Sequence, residues 1–310
     1  YKTRSFSYRE GIDSIINNRW IKHEVYTNLR LKENKLRYSP SQNILIRSIR
    51  IDESFEDYDD TTVLKTIYSN YYGQVKYTIK NKQVLKPKSL ELKYNYGFNF
   101  ENNIPLISSL ELTGNYKHNY NDNLDDISIR FFAGYNFITN NSRYNLNLTG
   151  QDGFNDYLYD RTYFVRNNYY QNSLSRQTSI TQGAFKINSG LGGSNSWLLA
   201  ANLSAKAPRL PFRFFMDLGV FPSVMVNTNT GNIINEKNIL YAGGLSFDIK
   251  SNDKTILGVY IPLIYSNELR ESYEPGTNKT IDDLPLIQKI TFVFNLNEIN
   301  PFTIKNNIRP

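Results

Sequence analysis

The chain contains no cysteine and only two histidines, His23 and His118, among its 310 residues. Disulfides and thiolate metal sites are therefore excluded. The two histidines lie far apart in the sequence and no His-Glu-x-x-His motif is present, so a zinc centre would lack its usual ligands. A Ser-His-Asp arrangement would depend on the same two residues. We therefore expect no catalytic, cofactor or metal site and no enzyme activity.

Long apolar runs are also missing. No stretch approaches the roughly 18 consecutive apolar residues that a membrane-spanning helix requires, which excludes an α-helical membrane protein. A secretory signal is absent as well, because Tyr1-Lys2-Thr3-Arg4 is not followed by an apolar segment. If the protein is exported, we expect this sequence to be a mature, trimmed or partial chain.

Charge and glycine give no sign of a nucleotide or nucleic-acid site. The formal net charge is +7, but Lys and Arg are spread along the chain without a dense basic stripe, so we expect no nucleic-acid partner. A basic interior or contact with anionic lipid would use the same charge. Gly190-Leu191-Gly192-Gly193 lacks the Lys and Ser/Thr of a phosphate loop and predicts a turn. The acidic pairs lack the spacing of a calcium loop and are interpreted as rim charges: Asp59-Asp60, Asp125-Asp126 and Asp282-Asp283.

What the chain does contain is aromatic residues and alternation. Tyr occurs 24 times and Phe 18 times, and both favour strands and the interfaces of membranes. Between Ser89 and Phe100, apolar residues at even positions alternate with polar residues at odd positions. Such a strand has one lipid-compatible face and one wet face. At ~3.3 Å per residue and a tilt of about 45°, it would cross about 28 Å of membrane.

The same alternation recurs along the chain. It predicts further strands within 63–80, 110–120, 127–137, 143–149, 197–205, 212–220, 245–249, 257–263 and 290–296. Phe132 and Val293 break the alternation in the clearest of these strands, and the pattern of the others is less regular. Short connections with turn residues favour antiparallel hairpins. We therefore predict an all-β fold, an antiparallel up-and-down transmembrane β-barrel of about 12 strands (10–14), with a lead-in segment at 1–20, the barrel at 21–300 and a tail at 301–310.

In such a barrel the lipid face and the lumen carry different residues. Leu92, Tyr94, Phe131, Phe292 and Phe294 are expected to face outward. Charged residues are expected to face inward, namely Lys76, Lys80, Glu91, Lys93, Glu111, Lys117, Arg130, Arg143, Asp217, Asp248, Lys250 and Lys289. Because unpaired charges in a low dielectric are costly, the acids among them should have Lys or Arg neighbours and close the lumen. A surplus of one sign would instead favour a pore.

Two long connections interrupt the predicted meander, at 151–178 and 267–283. We expect them on one rim of the barrel, as loops with a function or simply as solvated loops. The first contains Tyr157-Leu158-Tyr159-Asp160-Arg161.

Several segments from about residue 126 onward resemble Bacteroidota surface proteins. They are Ile127-Ser128-Ile129-Arg130-Phe131-Phe132-Ala133-Gly134, Asp156-Tyr157-Leu158-Tyr159-Asp160, Asp217-Leu218-Gly219, Val259-Tyr260-Ile261-Pro262-Leu263 and Asn295-Leu296-Asn297-Glu298-Ile299-Asn300-Pro301-Phe302. In that family a barrel-like C-terminal region follows a gluzincin aminopeptidase-type zinc domain. The resemblance implies the membrane part without the peptidase, since the zinc motif has no counterpart here.

These observations leave three interpretations of function. The first is a bacterial outer-membrane barrel that anchors a surface domain or a partner protein, the domain being covalently linked upstream or separate. The second is a small pore or a substrate-specific transport component. The third is a soluble all-β module, which the twelve-residue alternations disfavour because soluble strands average about 5–6 residues. For the first two, the surrounding partner would be outer-membrane lipid or lipopolysaccharide.

Overall fold

The computed structural model describes residues 2–10, 16–32, 39–59, 62–120, 125–149, 153, 155–161, 163–164, 176–189, 191–226, 233–251, 254–272 and 279–294. Its strands are β1 (Lys2–Glu10), β2 (Ile16–Lys32), β3 (Ser41–Asp59), β4 (Thr62–Asn81), β5 (Lys88–Asn99), β6 (Ile104–Asn119), β7 (Asp126–Thr139), β8 (Leu146–Asn147), β9 (Gln177–Thr178), β10 (Gly193–Ser194), β11 (Trp197–Lys206), β12 (Arg213–Val226), β13 (Ile233–Ser251), β14 (Lys254–Tyr265) and β15 (Thr291–Phe294).

Helical structure is sparse. A 3₁₀ turn covers Ser142–Tyr144, and two short helices follow β14, α1 (Asn267–Glu271) and α2 (Leu286–Lys289). Among the described residues, none of the helices has the length and apolar character needed to cross a membrane.

Twelve strands form one antiparallel meander, in the order β1 to β7 and then β11 to β15. The predicted all-β, up-and-down architecture and its number of strands are therefore confirmed. Within the described strands no pairing joins β1 to β15, so the sheet is not closed by hydrogen bonds. Instead β9 pairs in parallel with the outer edge of β15, through Gln177 and Thr178. The sequence predicted a closed sheet, and the described pairs form an open one.

The region 1–20, predicted as a lead-in, contains β1 and the beginning of β2, which pair from Lys2 with Glu24 to Glu10 with Ile16. The predicted tail at 301–310 lies outside the described residues.

Two of the predicted strands differ from the structure. The alternation at 143–149 does not belong to the sheet, because that stretch is a 3₁₀ turn followed by the two-residue β8, which pairs only with β10. The last strand begins at Thr291 and not at Ile290, because Leu286–Lys289 is helical. Lys289 is therefore a helix residue, whose ammonium donates to the Tyr265 hydroxyl at 2.8 Å.

The outer face of the sheet is an apolar belt between two sets of aromatic rings. Leu92, Tyr94 and Phe131 are about 40% exposed there, as predicted. Exposed rings stand near the ends of β5 and β7 on one side, and near the end of β6 and the beginning of β12 on the other: Phe100, Tyr135, Phe137, Tyr116, Tyr120 and Phe214. From Ile127 to Phe137 the strand covers ~33 Å, which projects onto about 25 Å at the tilt usual for membrane barrels.

Phe292 and Phe294 alternate with the buried residues of β15 and so face outward as predicted, but both side chains are partly covered. The ring of Phe164 stacks on Phe294 with 5.2 Å between centroids and lies 6.3 Å from Phe292. Their alternate partners, Thr291 and Val293, are buried on the inner side.

Candidate functional site: the lumen and its plug

Most of the described residues between β7 and β11, within 140–196, occupy the space enclosed by the sheet, and we call them the plug. Its described residues include many of the most buried in the chain: Leu146, Leu148, Ala184, Phe185 and Ile187 are at most 2% exposed. Residues on β2, β3, β4, β6 and β7 and on every strand from β11 to β15 contact it or share its apolar clusters. The sheet is therefore curled around the plug as a barrel wall.

This position corrects the interpretation of 151–178 as a rim loop. The alternation at 143–149 arises because Tyr144, Leu146 and Leu148 are buried in the lumen while Asn145 and Asn147 between them are half-buried. Burial on alternate sides of an extended segment produces period two whether or not the segment belongs to the sheet.

One apolar cluster joins the plug to the second half of the wall. Leu146, Leu148, Phe185 and Ile187 of the plug pack with Phe132 of β7 and with residues from β11 to β14. Leu269 and Ile281, from the second long connection, complete the cluster from the same rim. The two long connections thus leave the sheet at the same rim, after β7 and after β14, but their described residues contribute to the core.

Glycines make room for Leu148. A Cβ built on Gly219 of β12 would lie 2.1 Å from Leu148 Cδ1, and one on Gly192 would lie 2.4 Å from Leu148 Cβ. Gly192 also has a φ of +95°, which favours glycine. The described part of the glycine cluster is therefore not the predicted turn, because Gly192 packs against Leu148 and Gly193 begins β10.

A second apolar cluster joins the plug to the first half of the wall. Tyr157, Leu158 and Tyr159 pack with Trp20, Ile49, Ile51, Tyr72, Ile107 and Tyr144. Tyr159 stacks on Trp20 with 4.2 Å between ring centroids. The Tyr72 and Tyr144 hydroxyls are 3.0 Å apart. The inward position of Ile49 and Ile51 reverses the usual pattern of a polar lumen, because these side chains meet the plug instead of water.

Asp160 is the charged centre of the contact between plug and wall. Its carboxylate accepts from Lys22 Nζ at 2.5 Å and from Arg47 at 2.6 and 2.8 Å. Glu24 accepts from Arg47 Nε at 2.8 Å on the other side. Burial by itself raises the pKa of Asp160, but the hydrogen bond from Arg47 and the positive charges of Lys22 and Arg47 outweigh it, so this pKa lies well below its ordinary value.

Polar contacts continue along the wall from this centre. Arg47 donates to Gln74 at 2.8 Å, Gln74 donates to Asn95 at 2.8 Å, and Asn95 donates to Glu111 at 2.8 Å. Lys93 ends the series with an ion pair to Glu111 at 2.8 Å. A buried network of this kind is fully satisfied and rigid.

Another buried ion pair lies near the Trp20 cluster. Arg143 donates to Glu53 at 2.9 Å, and the Tyr159 hydroxyl donates to Glu53 at 2.5 Å. Arg143 was predicted to lie on a wall strand. It lies instead in the 3₁₀ turn of the plug and reaches the wall carboxylate from inside. Burial alone would lower the pKa of Arg143, but the charge of Glu53 outweighs it and raises this pKa well above its ordinary value.

The four acids predicted to face inward are paired with basic residues in the structure. Glu91 lies 3.5 Å from Lys76, Glu111 lies 2.8 Å from Lys93, Asp217 lies 3.9 Å from Lys186, and Asp248 lies 3.7 Å from Arg213. The prediction that these four acids have basic neighbours is confirmed. The partners are neighbours on adjacent strands or, for Asp217, a plug residue, and not residues across an open lumen.

Asp126 was interpreted as a rim charge. It is only 4% exposed and accepts two hydrogen bonds from Arg213, at 2.8 and 2.9 Å. This pair spans β7 and β12 across β11, on the inner face.

Between the plug and the ends of β4 and β6, the lumen retains two adjoining cavities, which we call the chamber. Their volumes are about 680 and 470 Å³, and they share Lys80, Ser89, Asn115, Arg130 and Ile180. Eight of the predicted inward charges line the chamber: Lys80, Glu91, Lys93, Glu111, Lys117, Arg130, Asp217 and Asp248.

The two histidines are not brought together. His23 lies on β2, 3.9 Å from Asp52, and His118 lies on β6, with β3, β4 and β5 between them. In the part of the chain that the structure describes, no group of three His, Cys, Asp or Glu side chains is arranged to hold a metal ion.

The comparisons with known proteins gave one structural likeness to report. No family model matches the chain, and no curated protein matches it. The fold is similar to that of CdiB from Escherichia coli, with a TM-score of 0.47 and 10% sequence identity. The similarity covers 94% of this chain and 48% of that one, so the chain spans about half the length of that structure.

Proposed function

We propose that this chain is a bacterial outer-membrane β-barrel that serves as an anchor or scaffold for a surface domain or partner protein, with its lumen filled by its own plug. The observation that carries this proposal is the combination of an apolar outer belt with a lumen packed like a protein core. The belt suits lipid, and its aromatic ends suit the two interfaces.

The packing of the plug favours an anchor over a freely conducting pore. An aqueous pore needs a lumen lined by water-exposed polar groups, whereas Leu148 and Phe185 are almost completely buried against the wall. Arg47 and Lys22 are also buried, and each holds Asp160. Displacing the plug would expose these apolar side chains and separate these charges, so we expect the filled state to dominate.

A surface protein, covalently linked or separate, is the partner that we propose for this anchor. The resemblance of 126–302 to the barrel region of Bacteroidota surface proteins supports it. The same resemblance underlies the proposal that the chain itself carries no peptidase activity.

A small transport component is the second candidate, and the chamber supports it. The first cavity of the chamber has a mainly polar lining and lies next to the plug, so a movement of the plug would connect the two rims. In that case the plug would act as a gate.

Planar-bilayer recording of the refolded chain distinguishes the two. An anchor should insert and give a stable baseline without steps. Insertion is established separately by flotation of the chain with liposomes and by its heat-modifiable mobility in detergent gels. Reproducible single-channel steps whose ion selectivity changes in Lys93→Glu would contradict the anchor and favour transport.

A further inference from the structure

The guanidinium of Arg130 is buried and forms few hydrogen bonds with the described residues. It lies on β7 and is only 9% exposed. Its one hydrogen bond to a described residue goes from Nη1 to Asn202 Oδ1, at 2.9 Å. Since a guanidinium has five N–H donors, most of them remain available. No described carboxylate lies within the 4.0 Å of an ion pair.

The position of Arg130 is set by its neighbours on β7. Two residues further along, Phe132 faces the same side and packs in the apolar cluster of the plug. Two inward positions earlier, Asp126 is bound by Arg213. Arg130 is therefore the first inward side chain beneath the plug, and it lines both cavities of the chamber. The centroid of the Phe132 ring lies 5.8 Å from Arg130 Cζ, so the guanidinium stands over this ring where it lines the chamber.

The second cavity carries an excess of positive charge. Its lining contains Lys and Arg side chains more than twice as often as Asp and Glu. Its three carboxylates are already engaged: Asp126 and Asp248 with Arg213, and Asp217 with Lys186. Lys80, Lys82 and Lys88, which line the cavity near the turn 82–87, form no ion pair with any described residue.

A cleft lined by one sign of charge attracts and concentrates ions of the other sign. A buried guanidinium without a carboxylate is costly, and an oxyanion would remove that cost by accepting two of its hydrogen bonds. A single lysine at the surface would not form an anion-binding site. Here several lysines line the same cavity as the buried Arg130.

From these observations we propose that the chamber binds a multivalent oxyanion, with Arg130 as the side chain that fixes it beneath the plug. Phosphate and carboxylate groups each present two oxygens that can accept two parallel hydrogen bonds from a planar guanidinium. Lys80 and Lys88 attract the anion, and Arg130 donates to it. This inference does not depend on whether the barrel is an anchor or a gated channel.

The test is isothermal titration of the refolded chain in detergent micelles with pyrophosphate and, in a separate arm, with citrate. We expect saturable binding of at least one of them, weakened at least tenfold in Arg130→Gln and less in Arg130→Lys. Preference for one ligand assigns the anion as phosphate or carboxylate. The matched control is Arg50→Gln, because Arg50 is a strand arginine on the outer face whose side chain is 48% exposed. Binding should be unchanged in this control.

Two results would overturn the proposal: no saturable binding of either anion by the unaltered chain, or equal binding by Arg130→Gln. Heat-modifiable mobility in gels shows whether each variant folds. If Arg130→Gln does not fold, the comparison of Arg130→Lys with Arg50→Lys decides, and equal affinity in these two variants also contradicts the proposal. Failure of this test leaves the bilayer result unaffected, because conduction and anion binding are measured independently.

Discussion

Asp160 is the plug residue that forms ion pairs with both Lys22 and Arg47 of the wall. It receives hydrogen bonds from Lys22 and Arg47, both of which are buried, while about a third of its own side chain faces the chamber. Since Lys22 and Arg47 are both shielded from water, the Asp160 carboxylate offsets part of the desolvation cost of burying their charges.

Replacing Asp160 by Asn should therefore destabilise the folded chain more than loss of a surface ion pair would. Breaking a buried pair costs about 3–5 kcal/mol, and partial exposure of Asp160 places the expected loss near 3 kcal/mol. Urea unfolding in lipid vesicles measures it. The control is Asp52→Asn, which removes a carboxylate from the more exposed pair with Arg50. Equal losses in the two variants would contradict the central role of Asp160.

The depressed pKa of Asp160 also has a consequence for pH. A carboxylate whose folded-state pKa is lowered contributes stability that is present above its unfolded-state pKa, near 3.9, and is lost as the pH falls through the folded value. Between about pH 5 and 8 this contact should therefore not change.

His23 and His118 give the next prediction at this scale. Because they lie on separate strands and neither belongs to a described cluster of metal ligands, we expect the purified chain to bind no stoichiometric zinc and to hydrolyse neither peptides nor lipids. Metal analysis after dialysis and assays with peptide and phospholipid substrates measure this. Stoichiometric zinc that disappears in His23→Ala or His118→Ala would refute the prediction.

The plug is the element that sequence patterns located but did not identify. Phe132 and Val293 stood out because they place apolar residues on the polar face, and both prove to be buried inside. Tyr157-Leu158-Tyr159-Asp160-Arg161 stood out as an apolar and charged stretch in a long connection. Together these were the signals of a lumen segment. They were insufficient because periodicity reports which faces are apolar and does not report what covers them.

The sheet itself was easier to predict. The outer face meets a uniform partner along each strand, so even and odd positions separate cleanly from Ser89 to Phe100. Ion pairing of Glu91, Glu111, Asp217 and Asp248 followed from the cost of burying charge. The chamber and the surroundings of Arg130 depend on the path of the plug. Neither the alternation of the strands nor the cost of burying charge determines that path.

Gly219 provides a test of how tightly the plug packs. A Cβ there would overlap Leu148, which is 1% exposed and has no room to move. Gly219→Ala should cost about 1–3 kcal/mol through overpacking. Gly73→Ala is the matched control, since nothing lies within 4 Å of the position of its Cβ. Unfolding free energies of both variants measure the difference.

The same pair of residues allows a double-mutant cycle. Leu148→Ala alone should cost about 2–5 kcal/mol because it leaves a cavity. Combined with Gly219→Ala, the loss should be smaller than the sum, because the new methyl group then enters space that Leu148 has left. Additive losses would show that the two residues do not touch.

For the whole molecule, the facing of the wall has a direct test. Phe131→Arg places a charge at the middle of the outer belt and should cost ~2–4 kcal/mol in a lipid bilayer. Asn95, although inward, is an unsuitable control because it is 3% exposed and bonded to Gln74, Ser109 and Glu111. Asn115→Arg is the appropriate one, because Asn115 is exposed to the chamber. Equal destabilisation would contradict a lipid-facing belt.

Conduction connects the plug to the behaviour of the whole barrel. If the filled lumen is what keeps the barrel closed, loosening the plug should open it in proportion to the contacts removed.

Asp160→Asn removes the charged contact, Leu148→Ala removes the apolar one, and the double variant removes both. We expect transient steps in the single variants and longer openings in the double variant in planar bilayers, whereas Gly73→Ala, which leaves the plug contacts intact, should stay closed. Openings should be no more frequent at pH 5 than at pH 8, because Asp160 remains ionised throughout that range. A double variant that folds, inserts and remains silent would show that structures other than the plug close the lumen, and would separate closure from the contacts of Asp160 and Leu148.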